Sequence, residues 1–402
     1  MIIMMNILFL GPYCPKNKIN DILRVSRHFS FSANVLEQAL IEGFDNYGNV
    51  MVVSSLKMVT RHLFVHGYTY KHNPTSAYKD VILSHINIPL FDRFFNGRRK
   101  YREVIKQGFV PDIIFIYSIR TDDICAARLL KKKFPKAVVV NMITDLAQYM
   151  RDNPSWLYRV CKKAESSLLD ILRGKYVDAF VLLSPYMKDF LPIGNKPFII
   201  IEGIYQPENI ELIAEKKDKR RIILYSGNLD GRYGILDLVN AFRAIDDPTL
   251  RLWLCGNGNT VNTIKELSLS DSRIKYLGVL PRKDVLKLQM QATLLVNPRH
   301  SNEQYTRFSF PSKTMEYMAS GTPTLMSPLE SLPDDYKEHL FLFNDESVEG
   351  MSKKIQEVLE MQADKLMLFG GGARNFILTN KTSDKQCNRI IDFALNNISR
   401  EL

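Results

Sequence analysis

The sequence predicts two doubly wound α/β domains in tandem. Three observations carry this. Short apolar runs rich in Val and Ile recur without polar–apolar alternation, as strands of a parallel sheet covered on both faces do. Helical patterns separate them, which gives a βαβ rhythm. The rhythm breaks at the polar segment Glu211–Arg221 and then restarts.

The first half offers strands at Ile7–Leu10, Val50–Ser54, Ile113–Tyr117, Ala137–Met142, Ala179–Leu183 and Phe198–Ile201. Helices are expected at Ala33–Gly43 and Asp122–Lys133. In the second half, strands are expected at Ile222–Tyr225, Leu250–Cys255, Ile274–Leu277, Thr293–Asn297 and Pro323–Met326. Helices are expected at Ile235–Ala244 and Asp284–Gln291, and the chain reads as helical from about Val348 onward. The halves repeat an architecture, not a sequence. Two such domains form a crevice between the carboxyl ends of their sheets, where ligands of open α/β sheets bind.

The chain has 402 residues, long enough for two sizeable cores, and an ordinary globular composition. Its 54 Lys+Arg and 43 Asp+Glu give a net charge of +11. The excess is one-sided. Residues 1–200 hold 28 basic and 16 acidic side chains, a net of +12, and residues 201–402 hold 26 and 27, a net of −1. An anionic partner therefore belongs to the first half. Cys14, Cys125, Cys161, Cys255 and Cys387 form no CxxC pair, so neither a zinc site nor a disulfide framework is expected, and a reducing cytoplasm is. No stretch approaches the roughly 18 apolar residues of a membrane span. The apolar start lacks a basic n-region and a cleavage site, and reads as a first strand ending at Gly11.

The densest motif runs from Asn297 to Pro323. A strand ends at Asn297, a polar loop follows, and Pro311-Ser312 fits a helix start. Gly321 fits its C-terminal cap. Backbone N–H groups at such a helix start suit a diphosphate. Lys313 adds a point charge in the first turn, and Glu316, three residues on, shares its face. A carboxylate there can accept two hydrogen bonds from a ribose diol. Gly256-Asn257-Gly258 follows a strand and permits close approach of a ligand.

Phe310-Pro311-Ser312-Lys313, Glu316-Tyr317-Met318-Ala319-Ser320-Gly321, the Gly256–Gly258 turn and the Leu277–Pro281 segment occur in the order and spacing of a known family. Over about Ile222–Lys354 the chain resembles the C-terminal domain of GT-B glycosyltransferases. These are of the group 1 or family 4 type that builds bacterial surface polysaccharides. The resemblance implies two Rossmann-like domains: 1–205 for the acceptor, 206–221 as linker, 222–378 for the nucleotide sugar. A terminal helix within 379–402 would pack back on the first domain. It further implies a UDP- or GDP-linked sugar donor, a saccharide or lipid-linked acceptor, retention of configuration and no bound metal or other cofactor.

By the same resemblance, Glu316 matches the glutamate that holds the nucleotide ribose and is expected to be catalytic; Asp145 is expected to be so from its place past a strand's carboxyl end. Gly227, Asn228, Arg232, Gly256, Asn257, Gly258, Leu280, Ser309, Phe310, Pro311, Ser312 and Lys313 fall on the donor side, and Gly11 and Tyr13 on the acceptor side. The chain departs from the family in places. Its second glutamate is Phe308 here, and Glu303 is the nearest carboxylate in the loop. The two basic positions after the domain's first strand are Asn228 and Tyr233. Arg232 is then the candidate cation with Lys313, or else a solvated turn residue. Asp145, just past a strand's carboxyl end, is a general base or a helix N-cap. The pairs Asp122-Asp123, Asp246-Asp247 and Asp334-Asp335 lack an Asp-x-Asp arrangement and read as caps and solvated residues.

The basic half carries aromatic–cationic segments at Phe91–Arg102 and Trp156–Lys163, with Lys131–Lys133 beside them. These suit an anionic membrane, hence a peripheral place on the inner face of the cell membrane. No nucleic-acid module is visible. A sugar-nucleotide epimerase and a non-catalytic binding protein on the same scaffold stay open as alternatives.

Overall fold

A computed structural model of the chain describes residues 5–21, 30–56, 64–86, 91–144, 156–207 and 220–398. They fall into two compact units, Met1–Ile204 with Ser383–Leu402, and Tyr205–Thr382.

The first unit is built on an eight-stranded sheet. Its strands are β1 (Met5–Gly11), β2 (Gly48–Ser54), β4 (Tyr68–Tyr70), β5 (Asp80–Ile82), β7 (Ile113–Tyr117), β8 (Val138–Ile143), β9 (Ala179–Leu182) and β10 (Phe198–Ile200). The order is β10-β9-β8-β7-β1-β2-β5-β4. Only β4 runs antiparallel to its neighbour. β3 (Phe64–Val65) and β6 (His85–Ile86) form a separate antiparallel pair. The central strands are apolar and wholly buried, as in a sheet with helices on both faces. The helices are α1 (Phe31–Asp45), α2 (Phe91–Lys106), α3 (Thr121–Lys133), α4 (Trp156–Tyr176) and the terminal α12 (Ser383–Ile398). The Ser30 side chain caps α1 by accepting from the Ala33 N–H at 3.4 Å. α3 carries Asp122 and Asp123 in its first turn and three lysines in its last, matching the helix dipole. On one face, Phe9, Phe44 and Phe115 stack as a core with Ile390 and Ile391 of α12.

The second unit has a six-stranded parallel sheet: β11 (Arg221–Asn228), β12 (Leu250–Asn257), β13 (Ile274–Gly278), β14 (Leu294–Asn297), β15 (Thr324–Met326) and β16 (Phe341–Leu342). Its helices are α5 (Ile235–Arg243), α6 (Val261–Ser270), α7 (Arg282–Gln291), α8 (Ser312–Ala319), α9 (Asp334–Lys337), α10 (Val348–Leu359) and α11 (Ala363–Asn380). The order is β13-β12-β11-β14-β15-β16, so the sheet winds outward both ways from the pair β11–β14. The first sheet does the same from β1–β7. Both are Rossmann-like, and in both the switch point is where a ligand is expected.

The anticipated strands and helices are present, with ends shifted by one to three residues. β3, β4, β5, β6 and β16 were not anticipated. They are two or three residues long, too short for a periodic pattern. The continuous helix from Val348 is three helices, α10, α11 and α12. Of the Asp pairs, Asp334-Asp335 is solvated in a helix's first turn, as expected, and Asp122-Asp123 needs correction. Asp122 and Asp123 are buried at 4% and 0% exposure, where solvation cannot hold them. They lie in an ion network described below. Asp247 pairs with Arg221, and Asp335 with Lys381 at 2.7 Å.

Candidate active site

In the second unit, the loops leaving β11 and β14 flank the switch point. They place Gly227–Gly234 on one side and Pro298–Pro311 on the other. Helix α8 begins beside them, and its position is fixed from below. Tyr317 is fully buried; its hydroxyl donates to the Ser226 carbonyl at 3.0 Å and accepts from the Ser226 N–H at 2.8 Å. Burial raises the Tyr317 hydroxyl well above its ordinary pKa, so it stays protonated and can do both. Gln289 of α7 donates to the Ser226 hydroxyl at 3.1 Å and to Glu316 Oε1 at 2.7 Å. Arg282 approaches Glu316 Oε2 at 3.4 Å. Glu316 is therefore held from two sides beside the switch point, with its side chain still 15% exposed.

No side chain caps the α8 N-terminus at Pro311. The Thr314 N–H is taken by the Pro311 carbonyl at 2.8 Å. The Lys313 stem lies across Gly227: a Cβ at Gly227 would meet Lys313 Cε at 3.0 Å and the Tyr225 hydroxyl at 2.8 Å. Any larger residue there would push the lysine off the switch point. Lys313 is half-buried and has no carboxylate partner among the described residues. Its charge reaches Cys255, whose thiol is raised by burial against the opposing influence of Leu280's backbone and of Lys313.

In the Gly256–Gly258 turn the glycines are required by packing between loops. Gly256 has φ +139°, and a Cβ would lie 1.7 Å from the Gly227 carbonyl oxygen. One at Gly258 would meet the Leu229 carbonyl at 2.2 Å. The close approach is thus made by the neighbouring loop, and the glycines position Gly227 and Asn228. Asn257 folds its side chain back onto the Gly258 N–H at 2.9 Å, while the Asn228 side chain is exposed.

Arg232 does not stand open: Asp230 grips it through two parallel bonds of 3.0 Å. The arrangement lowers the Asp230 carboxyl pKa and raises that of Arg232. Phe310 and Pro311 are buried, Phe310 against the Tyr336 ring at 4.9 Å, so their side chains shape the helix start. Phe308 is 5% exposed, which places an apolar side chain where the family glutamate stands. Ser309 turns its hydroxyl to the Tyr305 carbonyl and its own carbonyl accepts from Ser331. Ser312 is exposed and Leu280 half-buried, beside Val279, which is 72% exposed.

The sequence reading missed Gln289, Arg282 and Arg299. Arg299 was legible as a cation two residues past the end of the switch-point strand β14. Gln289 and Arg282 gave no signal, since nothing in a helix's sequence marks which polar residue will meet another helix.

In the first unit, Asp145 lies outside the described residues. Tyr13 is 5% exposed and sits in the core, so it presents no open acceptor surface. Gly11 is required by what lies over it: a Cβ there would meet Glu37 Oε1 at 2.6 Å. Glu37 is buried, which raises its carboxyl pKa well above normal, opposed by the charge of Arg120. Around it, Lys100 is wholly buried, 2.8 Å from Asp122 and bonded to Asp123. Arg120 approaches Asp122 at 3.3 Å and Asp123 at 3.1 Å, and bonds the Ser55 carbonyl at 2.7 Å. Burial and the Asp122 charge push the Asp123 carboxyl up to about 6, against Lys100 and Arg120. Ser118, after β7, has φ +67°, a backbone strain at the unit's own switch point.

Comparison with known proteins now adds to this geometry. Residues 208–376 match the family described as glycosyl transferases group 1. The match lies within 205–382, the second unit, and spans less than half of the chain; it supports glycosyl transfer as the activity. The match extends beyond the Ile222–Lys354 span that the motifs mark. No curated protein matches the chain. Among solved structures, sucrose-phosphate synthase from Thermosynechococcus elongatus is similar, with a TM-score of 0.63 at 14% identity, over 98% of this chain and 100% of that one. The lipopolysaccharide outer core galactosyltransferase WaaB gives 0.61 at 16%, over 99% and 100%. Anabaena Alr3699/HepE gives 0.62 at 12%, over 98% and 100%. At these identities the likeness establishes the fold, which is GT-B: two Rossmann-like domains with parallel sheets.

Proposed function

We propose that the chain is a glycosyltransferase whose second unit binds a UDP- or GDP-linked sugar at the β11–β14 switch point. The sugar passes with retention to a hydroxyl of a saccharide or lipid-linked acceptor, in the building of a bacterial surface polysaccharide. The observation that carries the reading is Lys313. It is a half-buried ammonium with no carboxylate partner among the described residues, in the first turn of the uncapped helix α8, at a Rossmann switch point. A cation so placed is suited to an anion supplied by a ligand.

Solved relatives support the substrate class. Alr3699/HepE was solved with UDP and with UDP-glucose, and starch synthase IV from Arabidopsis thaliana with ADP and acarbose. WaaB, by its description, acts on lipopolysaccharide outer core. In the proposed reaction the bond between the anomeric carbon and the diphosphate breaks, the acceptor oxygen bonds that carbon, and the acceptor loses a proton. Lys313 and the open N–H groups of α8 stabilise the charge gained by the departing diphosphate. Glu316, held by Gln289 and Arg282, accepts from the ribose. With Phe308 in place of the family carboxylate, the sugar must find its contacts elsewhere.

The second part of the proposal places the first unit on the cytoplasmic, anionic face of a membrane. On α2, Phe95, Arg98 and Arg102 are exposed along one stripe; on α4, Leu168, Ile171 and Lys175 are. α3 packs between these helices and ends in exposed Lys132 and Lys133. Not every cation of the segment takes part, since Lys100 is buried in its ion network. Among the described residues no helix is long and apolar enough to cross a membrane, so the contact is peripheral. Vesicles containing anionic lipid should bind the protein in low salt and release it in high salt; equal binding to neutral vesicles would end this part. For the donor site the test is Lys313→Ala and Glu316→Ala assayed for sugar transfer. Loss in both is expected, and full activity in both would end the assignment.

A further inference from the structure

The proposed donor site has one open cation too few. A nucleotide diphosphate withdrawn from water carries charge on two phosphates, and one ammonium together with backbone N–H groups balances only part of it. Arg232, the expected second cation, is gripped by Asp230 and 57% exposed, its charge already compensated.

Arg299 is differently placed. It follows Asn297-Pro298 at the carboxyl end of β14, one of the two strands that form the switch point. Its guanidinium lies over the Tyr233 ring at 4.7 Å and the Tyr305 ring at 5.4 Å. The two rings meet edge to face with centroids 6.4 Å apart. The Tyr305 hydroxyl donates to the Arg232 carbonyl at 3.3 Å, tying the loop after β14 to the turn after β11. That turn lies hard against the backbone before Arg299: a Cβ at Gly234 would meet the Pro298 carbonyl at 2.1 Å. The guanidinium is thus seated on two rings, and the backbone before it is fixed against the turn after β11. Aromatic faces hold a cation without neutralising it or occupying its N–H donors. Among the described residues no carboxylate lies within ion-pair distance of it.

Resting on the donor-site reading above, we infer that Arg299, seated on Tyr233 and Tyr305, is the second cation for the donor's diphosphate. Tyr233 occupies a position where the resembled family carries a basic residue. In this chain the ring at that position serves as the platform for an arginine brought from the other side of the switch point.

Titration calorimetry with UDP, GDP, uridine and guanosine tests this on the full chain. For whichever diphosphate the wild-type protein binds, Arg299→Met should weaken binding by about 10- to 100-fold, the worth of one or two charge-assisted hydrogen bonds. The methionine keeps an aliphatic stem on the rings, so affinity for the matching nucleoside should hold within about twofold. Arg299→Lys should recover part of the loss, and Arg232→Ala should change diphosphate affinity by less than about threefold. Equal weakening of nucleoside and diphosphate, or no weakening of either, would overturn the assignment of Arg299. If the methionine variant fails to fold, the lysine variant decides: a moderate loss for the diphosphate with nucleoside affinity held supports the role, and no loss, or a loss equal for nucleoside and diphosphate, overturns it. A wild-type protein that binds neither diphosphate would instead overturn the donor-site reading itself. With diphosphate binding that Lys313→Ala weakens and Arg299→Met does not, the donor-site reading stands and the inference alone falls.

Discussion

The two units each wind outward from a switch point, yet they treat the cations near it in opposite ways. At the strand ends of the first unit, Lys100 and Arg120 are neutralised by Asp122 and Asp123. At those of the second, Lys313 and Arg299 stand without carboxylate partners among the described residues. A buried ion network that closes on itself is structural, whereas cations held in place and left uncompensated await a ligand. On the proposed reading, one Rossmann-like architecture carries a stability device in one copy and a binding device in the other.

The comparison breaks most visibly if the networks are opened. Lys100→Ala should strip a buried charge from between two carboxylates and destabilise the protein by about 3–5 kcal/mol. Chemical denaturation reads this directly, and a loss below about 1 kcal/mol would mean the network is not structural. A second closed cluster sharpens the point through pH. His72 lies 2.7 Å from Asp80 and 3.1 Å from Asp45. Burial opposes its charge, but the hydrogen bonds to Asp45 and Asp80 outweigh it and raise its pKa to about 9. A raised folded pKa stabilises below the unfolded value of about 6.5, and that stability drains away as pH climbs toward 9. Roughly 3 kcal/mol should disappear across that window, and His72→Gln should flatten the slope.

The open side should respond the other way, in catalysis without loss of stability. Lys313→Ala should lower kcat/KM by about 100-fold while the melting temperature stays within about 2 °C. A large melting shift with modest kinetic loss would make Lys313 a structural residue. Glu316→Gln keeps the size of the side chain and weakens its acceptor strength. About a tenfold rise in KM with little change in kcat is expected if Glu316 holds the ribose.

Much of this was legible in the sequence. Continuous Val/Ile runs marked both sheets because a strand buried on two faces has no polar side to show. The Pro311–Gly321 helix was legible from its punctuation, and Gly321 ends it with φ +78°. The failures have one physical origin. Asp122-Asp123, Tyr13 and Arg232 were each judged by local pattern, and each is decided by a neighbour. Asp122 and Asp123 meet Lys100 from another helix. Arg232 was lost to a residue only two positions away, because a turn brings Asp230 onto its guanidinium in a way that residue spacing does not reveal. Arg299 was overlooked because its platform is built from Tyr233 and Tyr305, far apart in sequence.

The central claim is that the donor's diphosphate binds where β11 and β14 diverge. Amide hydrogen exchange with and without UDP, and separately with and without GDP, tests the location directly. Protection by one of the two nucleotides is predicted over residues 226–234 and 297–314 of the second unit. Protection confined to the first unit's strand ends, or none with either nucleotide at saturating concentration, would contradict it.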